Sequence, residues 1–284
     1  MDVLYVSDLD GTLLNDNQTL NVETIETLNH LIEHGMHFTI ATARSIESTK
    51  EIIKELNVNL PIVLMNGVFI YDSHNERYIK TNYLSNQLGT QIIQTYLQSG
   101  LNPIVYTIDH DGNSRIYYKG TFNNSEANYI GNRLSKGDTR FKLVNNYDEC
   151  MNEHIITINA IDTFNKLEYA YKQFMNEPEC NCHFGPDIYS PGYHWLEIAD
   201  QRATKKEAVL FLKSKYNFKK LVCFGDNLND LSMFEAADEK YAVSNAHEIL
   251  RNKADKIIDS NNSNGVSTFL SSIYDRSSIG PNEI

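Results

Sequence analysis

The sequence predicts an α/β protein, a parallel-sheet core interrupted by an inserted α+β segment. Short apolar strands alternate with amphipathic helices toward both ends of the chain, the pattern of strands joined by crossover helices. Acidic and hydroxyl residues begin where those strands stop. Between the two ends the composition shifts to a Tyr- and Asn-rich mixture of hairpin, strand and helix. The expected division is therefore a core of residues 1–82 and 191–284 and an inserted domain of residues 83–190.

Leu4 to Val6 reads as a short buried strand running into Ser7-Asp8-Leu9-Asp10-Gly11-Thr12. Val22, Ile25, Leu28, Leu31 and Ile32 then recur at helical spacing, with Gly35 marking the helix end. His37 to Ala41 is a second strand, followed by Thr42-Ala43-Arg44 and a helix from about Ser45 to Leu56. Pro61 to Met65 is expected as a third strand of the parallel sheet, ending in Asn66-Gly67. In the insert, Leu88 to Leu97, Glu126 to Leu134 and Thr163 to Met175 read as helices and Ile155 to Asn159 as a strand. Ile104 to Ile108 and Arg115 to Tyr118 read as a hairpin around Asp111-Gly112. Trp195 to Ile198 is read as the strand that returns to the core, and Thr204 to Tyr216 as an amphipathic helix. Lys219 to Phe224 is an apolar strand that runs straight into Gly225-Asp226-Asn227-Leu228-Asn229-Asp230.

Composition narrows the function. A net charge of -12 without a cluster of Lys and Arg excludes a general nucleic-acid surface. No apolar stretch has the eighteen or more residues of a membrane span, and the chain starts in a strand without a signal-like apolar region, so a cytoplasmic protein is expected. The four cysteines, Cys150, Cys180, Cys182 and Cys223, have no disulfide spacing. Cys180, Cys182 and His183 lack a second ligand pair at zinc-site spacing and read as ordinary residues of the insert. Oligomeric state is not legible.

The chemistry concentrates at the strand ends. In open α/β sheets the ligand crevice lies beyond the carboxyl ends of the strands, which places Asp8, Asp10, Thr42, Asp226, Asn229 and Asp230 there, with Lys205. Asp8 and Asp10, one residue apart on an extended backbone, would share a face. Two anions repel by about 4 kcal/mol at an effective dielectric near 20, so the pair calls for a cation. The bland alternative is that Asp10-Gly11 is a hairpin turn. Mg2+ suits the acidic set, held by Asp8, the Asp10 carbonyl and Asp226 with positions left for water and a phosphate oxygen. Asp8 is then the candidate nucleophile, forming an aspartyl-phosphate, and Asp10 the general acid and base. Lys205 lies in the first turn of its helix, where a cation is disfavoured unless an anion is near.

Asp8-Leu9-Asp10-Gly11-Thr12-Leu13-Leu14, Thr42-Ala43-Arg44, Lys205 and Gly225-Asp226-Asn227-Leu228-Asn229-Asp230 resemble, in type and order, the four motifs of the haloacid dehalogenase (HAD) superfamily. The likeness is greatest to its Cof-type hydrolases. Asn66-Gly67, Leu196-Glu197-Ile198, Ser244-Asn245-Ala246 and Gly265-Val266 resemble further landmarks of that group, so the resemblance covers nearly the whole chain. It implies a Rossmann-like core with a mobile α+β cap of the C2 type. It also implies phosphate contacts from the Leu9 backbone, Thr42, Ala43, Lys205 and Asn229, with Asp230 supporting the metal site. Ala43 and Lys206 stand where the family usually has glycine, which leaves Lys206 in competition with Lys205. The implied activity is Mg2+-dependent hydrolysis of small phosphorylated metabolites, sugar phosphates or phosphorylated cofactors. A phosphomutase or phosphotransferase using the same intermediate, or a phospho-aspartate signalling module, are the alternatives. Tyr189, Tyr193 and His194 are candidates for substrate specificity.

Overall fold

The computed structural model describes residues 2–187 and 190–278. The first segment runs β1 (Val3–Ser7), α1 (Val22–Glu33), β2 (His37–Ile40), α2 (Ile46–Ile53), β3 (Ile62–Leu64), β4 (Phe69–Asp72) and β5 (Arg77–Thr81). The sequence patterns that predict β1, α1, β2 and α2 coincide with these elements to within a few residues. The expected third strand does not join the parallel sheet. β3 touches the end of β2 through a single parallel bridge, Ala41 to Val63, and instead heads an antiparallel sheet ordered β3-β4-β5. The physical cause is the turn Met65-Asn66-Gly67, whose φ angles of 50°, 52° and 105° reverse the chain at once.

The middle segment holds α3 (Asn86–Gln98), β6 (Ile104–Ile108), β7 (Ser114–Tyr118), α4 (Asn124–Ser135), β8 (Phe141–Leu143), β9 (His154–Thr163), α5 (Phe164–Phe174), β10 (Cys180–Pro186) and β11 (Tyr193–Asp200). Its strands form one six-stranded sheet, ordered β10-β11-β9-β6-β7-β8. Leu196 and Ile198 of β11 pack with Leu88, Tyr96, Leu167 and Phe174 on one face. Ile104, Ile116, Ile130 and Ile161 form a second cluster on the other, with Trp195 against it. β11 was expected to return to the core. It pairs instead with β9 and β10 inside the insert, and the compact unit spans Asn82–Arg202 rather than 83–190. The alternation of buried and half-buried residues along β11 suits an antiparallel sheet, unlike the continuous apolar runs of the parallel core.

The last segment supplies α6 (Lys205–Lys215), β12 (Lys220–Gly225), α7 (Leu231–Ala236), β13 (Glu239–Val243), α8 (Glu248–Arg251), β14 (Lys256–Ile258) and α9 (Gly265–Ser278). With the first segment it completes the other unit, Met1–Thr81 with Ala203–Ile284. The two segments share a five-stranded sheet, β14-β13-β12-β1-β2, in which every pairing is parallel. Leu4, Val6, Phe38, Ile40, Leu221 and Phe224 are wholly buried, as strands covered on both faces require. Among the described residues no helix is long and apolar enough to cross a membrane.

Candidate active site

β1 and β12 lie side by side with Ser7 opposite Phe224, and the Asp8 N–H continues the ladder to the Phe224 carbonyl at 3.0 Å. Asp8 and the loop Gly225–Asp230 therefore emerge from adjacent strand ends. Beyond Asp8 the chain leaves the extended state. The N–H groups of Leu13 and Leu14 both bond the Leu9 carbonyl, at 3.0 and 2.9 Å, and Gly11 adopts φ +73°. A Cβ on residue 11 would lie 2.4 Å from Asp226 Oδ2, so both the backbone angle and the space demand glycine. Thr12 follows in the same turn and donates its hydroxyl to Asp226 Oδ1 at 3.0 Å.

Asp8, Asp226 and Asp230 each place an oxygen within 4.8 Å of the others. From the first position of α6, Lys205 inserts its ammonium 2.5 Å from Asp8 Oδ1 and 2.6 Å from Asp230 Oδ1, with 0% of its side chain exposed. The helix start is fixed by Thr204, whose hydroxyl accepts the Glu207 N–H at 3.0 Å. A cation at this end of a helix is disfavoured, and the two carboxylates reverse that balance. The remaining oxygen of Asp230 accepts the N–H groups of Asp226 and Asn227 at 3.0 and 3.1 Å, which holds the loop against the lysine.

Burial pushes the Asp8 carboxyl well above the usual carboxylate range against the pull of Lys205, and Asp230 and Asp226 add to the rise. Burial and the neighbouring Asp230 push Asp226 up to about 6. Burial would discharge Lys205, but Asp230 and Asp8 outweigh it and raise its proton affinity. Two carboxyl groups this close keep a proton between them or give it up to a metal ion. The donors are all hard oxygens, which fits Mg2+.

The second motif follows β2, the other neighbour of β1. Thr42 is buried, its hydroxyl accepts the Arg44 N–H at 3.1 Å, and its carbonyl accepts the Asn66 N–H at 3.0 Å. Asn66 in turn accepts from Asn229 Nδ2 at 3.2 Å. Ala43 is exposed at the same sheet end.

The family model for haloacid dehalogenase-like hydrolases matches residues 5–270. The chain belongs to that family. Among its relatives, 5-amino-6-(5-phospho-D-ribitylamino)uracil phosphatase YwtE of Bacillus subtilis is 28% identical over 93% of this chain and 95% of its own length. Pyridoxal phosphate phosphatase YbhA of Escherichia coli is 24% identical, again over 93% of this chain and 95% of its own. The crystal structure of TM0651 from Thermotoga maritima superposes with a TM-score of 0.74 at 25% identity, covering 95% of this chain and 96% of that one.

In this haloacid dehalogenase-like hydrolase the expected pairing of Asp8 with Asp10 gives way to one of Asp8 with Asp226. A shared face needs an extended backbone, whereas the chain turns after Asp8. The Asp10 carboxylate is held in a two-pronged ion pair by Arg44, 2.7 Å from Nε and 2.5 Å from the nearer terminal nitrogen. Lys205, not Lys206, meets the acidic cluster; Lys206 reaches Glu235 at 3.2 Å on the surface. Two contacts that no sequence motif announces are that of Thr12 with Asp226 and the bond from Asn245 Nδ2 to the Gly11 carbonyl at 2.8 Å. Thr12 beside an acidic strand end and Asn245 after β13 were the available signals. Tyr193, like Trp195, packs against the second apolar cluster of the insert, and His194 lies among the rings of Phe164 and Phe184. Tyr189 falls outside the described residues.

Proposed function

We propose that this hydrolase is a Mg2+-dependent phosphatase of small phosphorylated metabolites, working through an aspartyl-phosphate on Asp8. The observation that carries the reading is the buried Lys205 ammonium bridging Asp8 and Asp230, with an oxygen of Asp226 within 4.8 Å of theirs. That is a site built for a metal ion and a phosphate together. The names of the relatives support the phosphoric monoester class.

Asp8, Asp226 and the Asp10 carbonyl would hold the ion, with Asp230 fixing the loop that carries Asp226. When bound, Mg2+ supplies positive charge that offsets the charge on the phosphate oxygens. Lys205, the Leu9 and Ala43 N–H groups, Thr42 and Asn229 orient the phosphate by donating hydrogen bonds. An Asp8 oxygen attacks phosphorus, the bond to the leaving oxygen breaks, and that oxygen takes a proton from Asp10. For this step the Asp10 carboxylate must first leave its ion pair with Arg44. Water then attacks phosphorus, Asp10 accepts its proton, and the bond to Asp8 breaks to release inorganic phosphate.

The test is phosphate release from a panel of phosphorylated metabolites with Mg2+, with EDTA, and after Mg2+ is restored. Turnover that stops with EDTA and returns with Mg2+ is expected. Turnover indifferent to chelation would refute the metal assignment. Added hydroxyl acceptors that suppress free phosphate would point to phosphoryl transfer instead of hydrolysis.

A further inference from the structure

Two thiols of the inserted unit stand on one face of an edge strand, and the phosphatase chemistry uses neither. Cys180 and Cys182 are two residues apart in β10, so their side chains share a face of the sheet. That face packs against the cluster of Tyr96, Leu167, Phe174 and Ile198, with Ile198 directly opposite Cys182 in register. Neither thiol is sealed in. Both are half-buried, and among the described residues β10 pairs on one side only, with β11. Its neighbour Cys182, together with burial, pushes the Cys180 thiol up, as expected of two sulfurs close enough to act on each other.

The surroundings supply no third ligand. His183 alternates to the opposite face of β10, where Glu197 lies across from it. Asp200, across from Cys180, is held by the Arg202 guanidinium at 2.7 and 2.8 Å. Cys150 is wholly buried and donates its thiol to the Tyr147 carbonyl at 2.9 Å. Among the described residues, three or more potential ligands come together only at Asp8, Asp226 and Asp230. A dithiol with no third donor does not close the four-coordinate shell that zinc takes. A disulfide fits poorly too, because residues two apart on a strand are about 6.6 Å apart at Cα, near the outer limit that such a bond spans. Two sulfurs alone suit a soft cation, the kind that thiolates select.

We propose that Cys180 and Cys182 bind one soft monovalent metal ion, of the Cu+ type, between their sulfurs. Both S–H bonds break, both protons go to solvent and two sulfur–metal bonds form. One singly charged cation and two neutral thiols thus become a singly negative complex, with no change of oxidation state. The site lies wholly within the inserted unit and stands whether or not the phosphatase reading does.

The test titrates the reduced full-length protein with Cu+ under anaerobic conditions, against a chromogenic Cu+ chelator and with no Mg2+ present. The protein should withdraw one ion per chain from the chelator. Cys180→Ser and Cys182→Ser should each weaken that binding by far more than the about tenfold that loss of a supporting contact costs, since each removes one of two bonds. Thermal unfolding as cooperative as the parent's shows that the variants fold. X-ray absorption of the copper-loaded parent needs no variant and should show two sulfur donors and no nitrogen or oxygen. Excess Zn2+ should not displace the copper. The proposal is overturned if the parent leaves Cu+ with the chelator, if folded variants bind it as the parent does, if a nitrogen or oxygen donor completes the shell, or if Zn2+ takes the site.

Discussion

Withdrawing the Lys205 ammonium wholly from solvent costs several kcal/mol, which Asp8 and Asp230 must offset from 2.5 and 2.6 Å. Lys205→Met would strand two buried carboxylates, so denaturant unfolding should show a loss of about 3 kcal/mol together with the loss of turnover. The same change at Lys206, 40% exposed, should stay within about 0.5 kcal/mol. Asp8→Asn removes the nucleophile and also relieves the crowding with Asp226. Phosphate release should fall by at least about 10³-fold, while the metal-free protein melts no lower than the parent. Asp226, pushed up to about 6 by burial and Asp230, must give up its proton before it can hold a metal ion. Calorimetric Mg2+ affinity should therefore rise by at least about tenfold per unit as pH climbs toward that value; an affinity flat with pH would contradict the assignment. The aspartates at both strand ends were legible in sequence because apolar runs stop at them. The partner of Asp10 was not, because it depends on a turn that only the contact of Gly11 with Asp226 enforces.

At the scale of elements, the start of α6 is positioned by the turn after β3. A Cβ on Gly67, at φ +105°, would fall 2.3 Å from the Thr204 carbonyl oxygen. Gly67→Ala should push Thr204 and Lys205 away from the cluster, with a stability loss of about 2 kcal/mol or more and a parallel loss of activity. The start of α4 supplies a test of pH linkage. Glu126 is 2% exposed, accepts the Phe122 N–H at 2.6 Å, and is pushed by burial up to about 7. Between its ordinary value of 4.5 and about 7, the folded chain keeps a proton that the unfolded chain has released. Stability should fall as pH rises through that window, by about 3 kcal/mol in all, and Glu126→Gln should flatten the slope in urea titrations run across it. Helices and strands as such were readable from periodicity. Their sheet membership was not, because β3 carries the same apolar signature as β1 and β12, and the three left-handed residues at Met65–Gly67 redirect the chain locally.

For the whole molecule, the unit that carries the acidic cluster is assembled from two distant segments, and the other from one continuous stretch. Asn82–Arg202 has its own sheet and two apolar clusters, so this fragment expressed alone should unfold cooperatively, with Trp195 emission as the probe. Residues 1–81 alone should not, since β1 would lack its β12 ladder and Asp8 its lysine. Folding of the split unit must wait for segments far apart in sequence, the kind of non-local pairing that slows folding.

The continuous unit begins and finishes at nearly one point, for Asn82 Nδ2 donates to the Arg202 carbonyl at 3.2 Å. Such a stitched pair of ends makes the stretch transplantable: a short Gly-Ser bridge from residue 81 to 203 could close the gap left by its excision. A counterpart from another member of the family could be grafted across the same two peptide bonds, exchanging one module without re-engineering the sheet that carries Asp8.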